Sequence, residues 1–132
     1  MHPTTEDKEQ IRELLASYCY HVDSGQAEKY VELFADDCIV ELGPLGSFKG
    51  KSALLELQQR KGGKPTQVRH ITTNIVSSIQ GDTAQVKSYV MALKIDTTPP
   101  TLLFSGHYFD DLVKQEGRWL FRHRRTSMDI LE

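Results

Sequence analysis

Gln67-Val68-Arg69-His70-Ile71-Thr72-Thr73-Asn74-Ile75-Val76-Ser77-Ser78-Ile79 is the stretch that decides the fold. Branched side chains at Val68, Ile71, Thr72, Thr73, Ile75, Val76 and Ile79 favour extended backbone over helix, and neither Gly nor Pro interrupts them. From Gln67 onward the chain reads as β structure, with strands over about 67–79, 83–95, 101–114 and 118–126. The breaks between them are Gly81-Asp82, Thr97 to Pro100, and Gln115-Glu116-Gly117. Connections this short return each strand antiparallel to its predecessor.

Upstream of Gln67 the period changes. Ile11, Leu14, Leu15, Tyr18 and Val22 recur at helical spacing, with Thr4 or Thr5 placed to cap the helix and Glu6 and Asp7 in its first turn. Asp23-Ser24-Gly25 ends it, Gly25 being free to adopt a left-handed conformation. A second short helix runs through Ala27, Tyr30, Val31 and Phe34 until Asp36-Asp37, and Cys38 to Leu42 reads as a strand. The turn-rich Gly43 to Gly50 segment is a loop or hairpin. Lys51 to Arg60, carrying Leu54, Leu55 and Leu57, is a third helix that stops at Gly62-Gly63-Lys64-Pro65. Helices first and antiparallel strands afterwards define an α+β fold, with three N-terminal helices on one face of a strongly curved, mostly antiparallel sheet. Such an arrangement is a cone whose interior is a mostly apolar pocket.

The 132 residues are expected to form one domain over 1–132 with a real core. A formal net charge of −2 without a long basic run argues against a nucleic-acid footprint, and Arg122-His123-Arg124-Arg125 reads as a solvated strand end. Cys19 and Cys38 have apolar neighbours and neither CxxC nor zinc spacing, so buried free thiols are expected. No apolar stretch has the length of a membrane span, and Met1 to Asp7 lacks a signal-peptide profile, so the expected setting is a reducing cytoplasm.

Tyr18, Asp23 and His70 carry the candidate chemistry. A phenol, a carboxylate and an imidazole brought together can remove a proton, stabilise the oxyanion and protonate a leaving group. A carboxylate that accepts from one imidazole nitrogen fixes the tautomer and raises the basicity of the other. The plainer readings are a helix-ending turn residue for Asp23, a packed histidine for His70 and a core ring for Tyr18. Strand alternation extends the set: if His70 points inward, so do Val68, Thr72, Asn74 and Val76, while Ile71 and Ile75 face out toward a covered surface such as a subunit interface. Gly106, Tyr108 and Asp110 share one face of their strand and His107 and Phe109 the other.

The order of these signals resembles the nuclear transport factor 2-like superfamily. It is carried by Tyr18-x4-Asp23, Leu33-Phe34-Ala35-Asp36-Asp37-Cys38, Phe48-Lys49-Gly50-Lys51, Arg69 to Asn74, Gly106 to Asp111, and Gly117-Arg118-Trp119. The SnoaL-like branch, which includes scytalone dehydratase and bile-acid 7-alpha-dehydratase, is the most similar. The resemblance implies that Asp23 orients His70 as base and that Tyr18 matches the tyrosine of the bile-acid enzyme. It implies that Tyr108 and, at the place of a second histidine in scytalone dehydratase, Val90 line the pocket. Leu42 falls where ketosteroid isomerases carry an aspartate base, and a leucine cannot take a proton.

The expected activity is therefore elimination of water or a similar group from a hydrophobic cyclic, polyketide-like or steroid-like molecule. His70, Asp23 and Tyr18 are its catalytic residues, and Tyr108, Asn74, Val90 and Leu42 its substrate contacts. The alternatives are an isomerase or cyclase using the same base, and a non-catalytic binding or assembly module. No metal or organic cofactor, nucleic acid or membrane is implied. A homodimer is expected, with a trimer as the alternative.

Overall fold

The computed structural model describes residues 4–129. Helix α1 spans Thr5–Asp23 and α2 Ala27–Val31; strand β1 covers Phe34–Glu41 and β2 Ser47–Lys49; helix α3 covers Lys51–Arg60. The long strands are β3, Val68–Gln80, β4, Thr83–Lys94, β5, Thr101–Gln115, and β6, Arg118–Met128. They form one six-stranded sheet in the order β2-β1-β6-β5-β4-β3. All neighbours are antiparallel except β1 and β6, which are parallel. The described residues thus form an α+β fold with three helices and a curved six-stranded sheet.

Thr4 caps α1 through a capping box with Asp7, whose backbone N–H donates to the Thr4 hydroxyl at 3.0 Å. The same Asp7 accepts from Lys114 Nζ and Trp119 Nε1, both at 3.1 Å, so the start of the first helix is clasped to the last hairpin. Ile11, Leu14, Leu15, Tyr18 and Val22 are buried, as their spacing predicts. Phe34 is a correction. It belongs to β1 rather than α2, because the Leu33 carbonyl accepts from the Phe121 backbone N–H at 2.9 Å and draws the chain into the sheet. Gly43 to Gly50 resolves as a hairpin, β2 pairing with β1 around a 3₁₀ turn at Gly43–Leu45.

β4 alternates without a break, with Ala84, Val86, Ser88, Val90 and Ala92 inward. β3 does not. Between Thr73 and Val76 it advances three residues while β4, from Tyr89 to Lys87, advances two. The extra residue makes a bulge, and Asn74 there has φ 56°, a left-handed conformation that Asn tolerates better than most residues. Beyond it the parity is inverted. Ile75 and Ile79 pack on the core, while Asn74 is exposed and Val76 is 56% exposed. The inward placement of Asn74 and Val76 and the outward placement of Ile75 are therefore corrected; alternation holds only as far as Thr73.

A second bulge lies in β6, where Phe121 pairs with Leu112 but His123 pairs with Asp111. It turns both Phe121 and Arg124 inward. Arg124, read from its basic neighbours as a solvated strand end, has no exposed surface at all. Its guanidinium donates to Asp110 at 2.9 and 3.2 Å and lies 3.5 Å from the Tyr108 ring centroid and 4.2 Å from that of Tyr18. Burial pushes the Asp110 carboxyl up from the ordinary range, and the adjoining guanidinium opposes that rise.

Candidate active site

The end of α1 is fixed to the start of β3 by backbone. Thr66 donates its backbone N–H to the Asp23 carbonyl at 2.8 Å. Gly25, at φ 72°, comes so near the strand-entry loop that a Cβ there would meet the Lys64 carbonyl oxygen. This pinning carries the Asp23 side chain to His70. One carboxylate oxygen accepts the His70 backbone N–H at 2.9 Å, and the other meets His70 Nδ1 at 2.6 Å. A carboxylate has only acceptors to offer, so Nδ1 carries the proton of the neutral ring and Nε2 holds the free lone pair. The side chains are 18% and 21% exposed, partly withdrawn from water yet reachable. Phe104 meets the imidazole edge to face, with ring centroids 6.3 Å apart.

The pair faces a cavity of about 530 Å³, of a size typical for small-molecule sites. One wall is a stripe of α1: Arg12, Ala16, Cys19, Tyr20 and Asp23, which recur at helical spacing. The other is β3, with Val68, His70, Ile71, Thr72 and Ile75, closed by Ile95. Ile75 reaches the cavity because of the bulge at Asn74. Thr72, two residues beyond His70 on the same side of the strand, has its hydroxyl 3.4 Å from Cys19 Sγ. Burial pushes the Cys19 thiol up, so it remains protonated near neutrality.

Asp23 and His70 are brought together, and the other expected site residues are not. Tyr18 is 4% exposed and points away from this cavity, into a layer where its ring meets Tyr30, Phe34, Tyr108 and Phe121 at centroid separations of 5.3–6.2 Å. Burial pushes its hydroxyl above the usual phenol range. Tyr108 lies in the same layer, and Leu42 packs half-buried against the core. Val90 is buried, and the second hollow it borders also includes Tyr89, Met91 and His107 on the opposite side of the sheet. Asn74 is exposed on the bulge. Cys19 and Ile75 were not anticipated as lining residues, whereas Thr72 lines the cavity as its inward parity with His70 led one to expect. Cys19 lay on the helical spacing of α1, and Ile75 carried no signal without knowledge of the bulge. Among the described residues, no three His, Cys, Asp or Glu side chains converge to hold a metal ion.

The chain belongs to the SnoaL-like domain family of the nuclear transport factor 2-like superfamily: the family model matches residues 3–125. No curated protein matches it in sequence. Among solved structures, a Mycobacterium tuberculosis protein of unknown function superimposes with a TM-score of 0.88 at 27% identity, covering 97% of this chain and 79% of that one. A Nostoc punctiforme protein of unknown function with a cystatin-like fold gives 0.88 at 26% identity, covering 98% and 96%. A Novosphingobium aromaticivorans protein described as a scytalone dehydratase candidate gives 0.80 at 25% identity, covering 94% and 85%.

Proposed function

We propose that this protein is a cofactor-independent lyase that eliminates water, or a comparable group, from a hydrophobic cyclic small molecule. One observation carries the reading: the carboxylate of Asp23 holds both the backbone N–H and the ring Nδ1 of His70, aiming the imidazole at a mostly apolar cavity. In this reading Nε2 of His70 removes a proton next to a carbonyl, and Asp23 stabilises the imidazolium that forms. The electron pair moves toward the carbonyl oxygen and then expels the leaving group, which takes the abstracted proton from the His70 imidazolium and so returns Nε2 to its free base. The Thr72 hydroxyl can rotate to donate to that oxygen. Tyr18 contributes as packing behind α1, since it does not line the cavity. The curved sheet and its helices form the cone around this site, one domain over 1–132.

The test does not need the natural substrate. Exchange of the α-proton of a cyclic ketone such as tetralone into heavy water, followed by NMR, isolates the proton-abstraction step. Wild type accelerates exchange, and His70→Ala lowers that acceleration by about 10²-fold or more. Equal exchange by the two proteins rules the mechanism out. Mass analysis of products from hydroxylated cyclic ketones then separates elimination, which loses water, from isomerisation, which conserves mass.

We place the protein in the cytoplasm as a homodimer. Tyr89, Met91, Phe109 and Val76 form an exposed apolar face on the side of the sheet opposite α1, with His107 between Tyr89 and Phe109 at centroid separations of 5.1 and 5.7 Å. Among the described residues, no helix is long and apolar enough to cross a membrane. Sedimentation of wild type against Tyr89→Glu checks the assembly.

A further inference from the structure

From the charges around the dyad cavity we infer that its ligand is anionic: an apolar body bearing a carboxylate or equivalent group, which Arg12 and Arg69 bind at the mouth. This rests on the reading of the cavity as a substrate site and names the class of molecule it takes.

Arg12 of α1 and Arg69 of β3 both border this hollow, one from each wall. Both are exposed to solvent. Arg60, Arg122, Arg124 and Arg125 each have a carboxylate within ion-pair distance, whereas Arg12 and Arg69, like Arg118 outside this hollow, have none among the described residues. The one carboxylate lining the hollow, Asp23, is committed through both oxygens to His70. The site thus has a positive excess within a chain whose formal net charge is −2. Guanidinium groups match carboxylates in shape and in hydrogen-bond donors, and two arginines bordering one hollow can hold an anion without protein competition. The isoleucines and Val68 that line the hollow take the apolar body, with the anion on the exposed arginines and the opposite end beside Nε2 of His70.

Biphenylacetate and its neutral amide, biphenylacetamide, share an apolar body and differ in charge. Each is titrated into the protein while NMR follows the His70 ring resonances, which report occupancy of this cavity and not of the outer sheet face. The carboxylate is expected to bind at least about tenfold more tightly than the amide, the ratio that one charge-assisted hydrogen bond supplies. Added salt should weaken the carboxylate and leave the amide unchanged. In the Arg12→Gln/Arg69→Gln double variant the preference should vanish while amide binding persists, which also certifies that the variant folds. Equal binding of both probes, each shifting His70, overturns the anion inference and leaves the proposed site standing. A carboxylate preference that survives in the double variant overturns the assignment to these arginines. Failure of both probes to move His70 removes the site itself, and this inference with it.

Discussion

Replacing Asp23 by Asn tests the dyad at the level of one proton. The wild-type carboxylate accepts from the His70 backbone at 2.9 Å and from Nδ1 at 2.6 Å. Asparagine keeps one of those acceptors and turns the other into a donor. With its oxygen on the backbone N–H, its amide nitrogen donates to Nδ1 and the ring proton must move to Nε2. The reverse orientation sets two donors face to face at the backbone and is disfavoured. The variant therefore loses a charge-assisted hydrogen bond and presents the substrate with N–H where a lone pair is needed. Because both side chains are about one-fifth exposed, water recovers part of the loss. The expected destabilisation is about 1–2 kcal/mol, which for a domain of this size lowers Tm by about 3–8 °C. Proton abstraction should fall by about 10²–10⁴-fold, since the ring carries the wrong tautomer. Nitrogen chemical shifts of the imidazole identify the tautomer directly, and thermal unfolding gives the stability. A variant that keeps the proton on Nδ1 and melts within about 1 °C of wild type refutes the reasoning.

Other perturbations probe the frame that positions the pair. At the bulge, Asn74→Val places a branched side chain at φ 56° and should cost about 1–2 kcal/mol in chemical denaturation, whereas Asn74→Gly should be close to neutral. Arg124→Met strands the buried Asp110 carboxylate and should cost about 3–5 kcal/mol; the double variant with Asp110→Leu should recover much of that, as melting of the three proteins will show. Hydrogen bonds from Trp119, Lys114 and Thr4 hold the Asp7 carboxyl well below its ordinary range. Its contribution is therefore complete above the unfolded-state value of 3.8 and is lost as pH falls further, toward the folded-state value. Asp7→Asn should flatten the decline of stability on acidification below about pH 5, read from urea midpoints across the acid range.

The order of helices and strands was legible because each element keeps its own period over several turns or alternations, and because Gly and Pro stand at most of the breaks. Asp23 and His70 were legible as a pair only through the family resemblance, which sets a carboxylate at the end of the first helix against a histidine on the first long strand; position alone left both with plainer readings. The local inversions were hidden. A bulge is a single extra residue, and nothing in Thr73-Asn74-Ile75 distinguishes it from continued alternation except an asparagine, which many strands also tolerate. The same limit concealed Arg124. Its basic neighbours suggested a solvated end, and only the bulge around Arg122 turns it toward Asp110 and the tyrosines. Tyr18 was correctly buried by its spacing, but helix periodicity reports depth and not which hollow a ring borders.

Strand β1 joins the long strands only through β6, alongside which it runs parallel, and Asp7 is clasped by residues of the final hairpin. During synthesis α1 can dock on β3 early, but β1 has no long strand to pair with until β6 has left the ribosome. Such distant pairings make for slow assembly, and they leave β1 an open edge in the nascent chain. A chain interrupted before Arg118 would expose that edge, together with the faces of Phe34 and Val40 that β6 and its neighbours bury. Completion of β6, not of the early helices, sets the moment at which β1 can be paired.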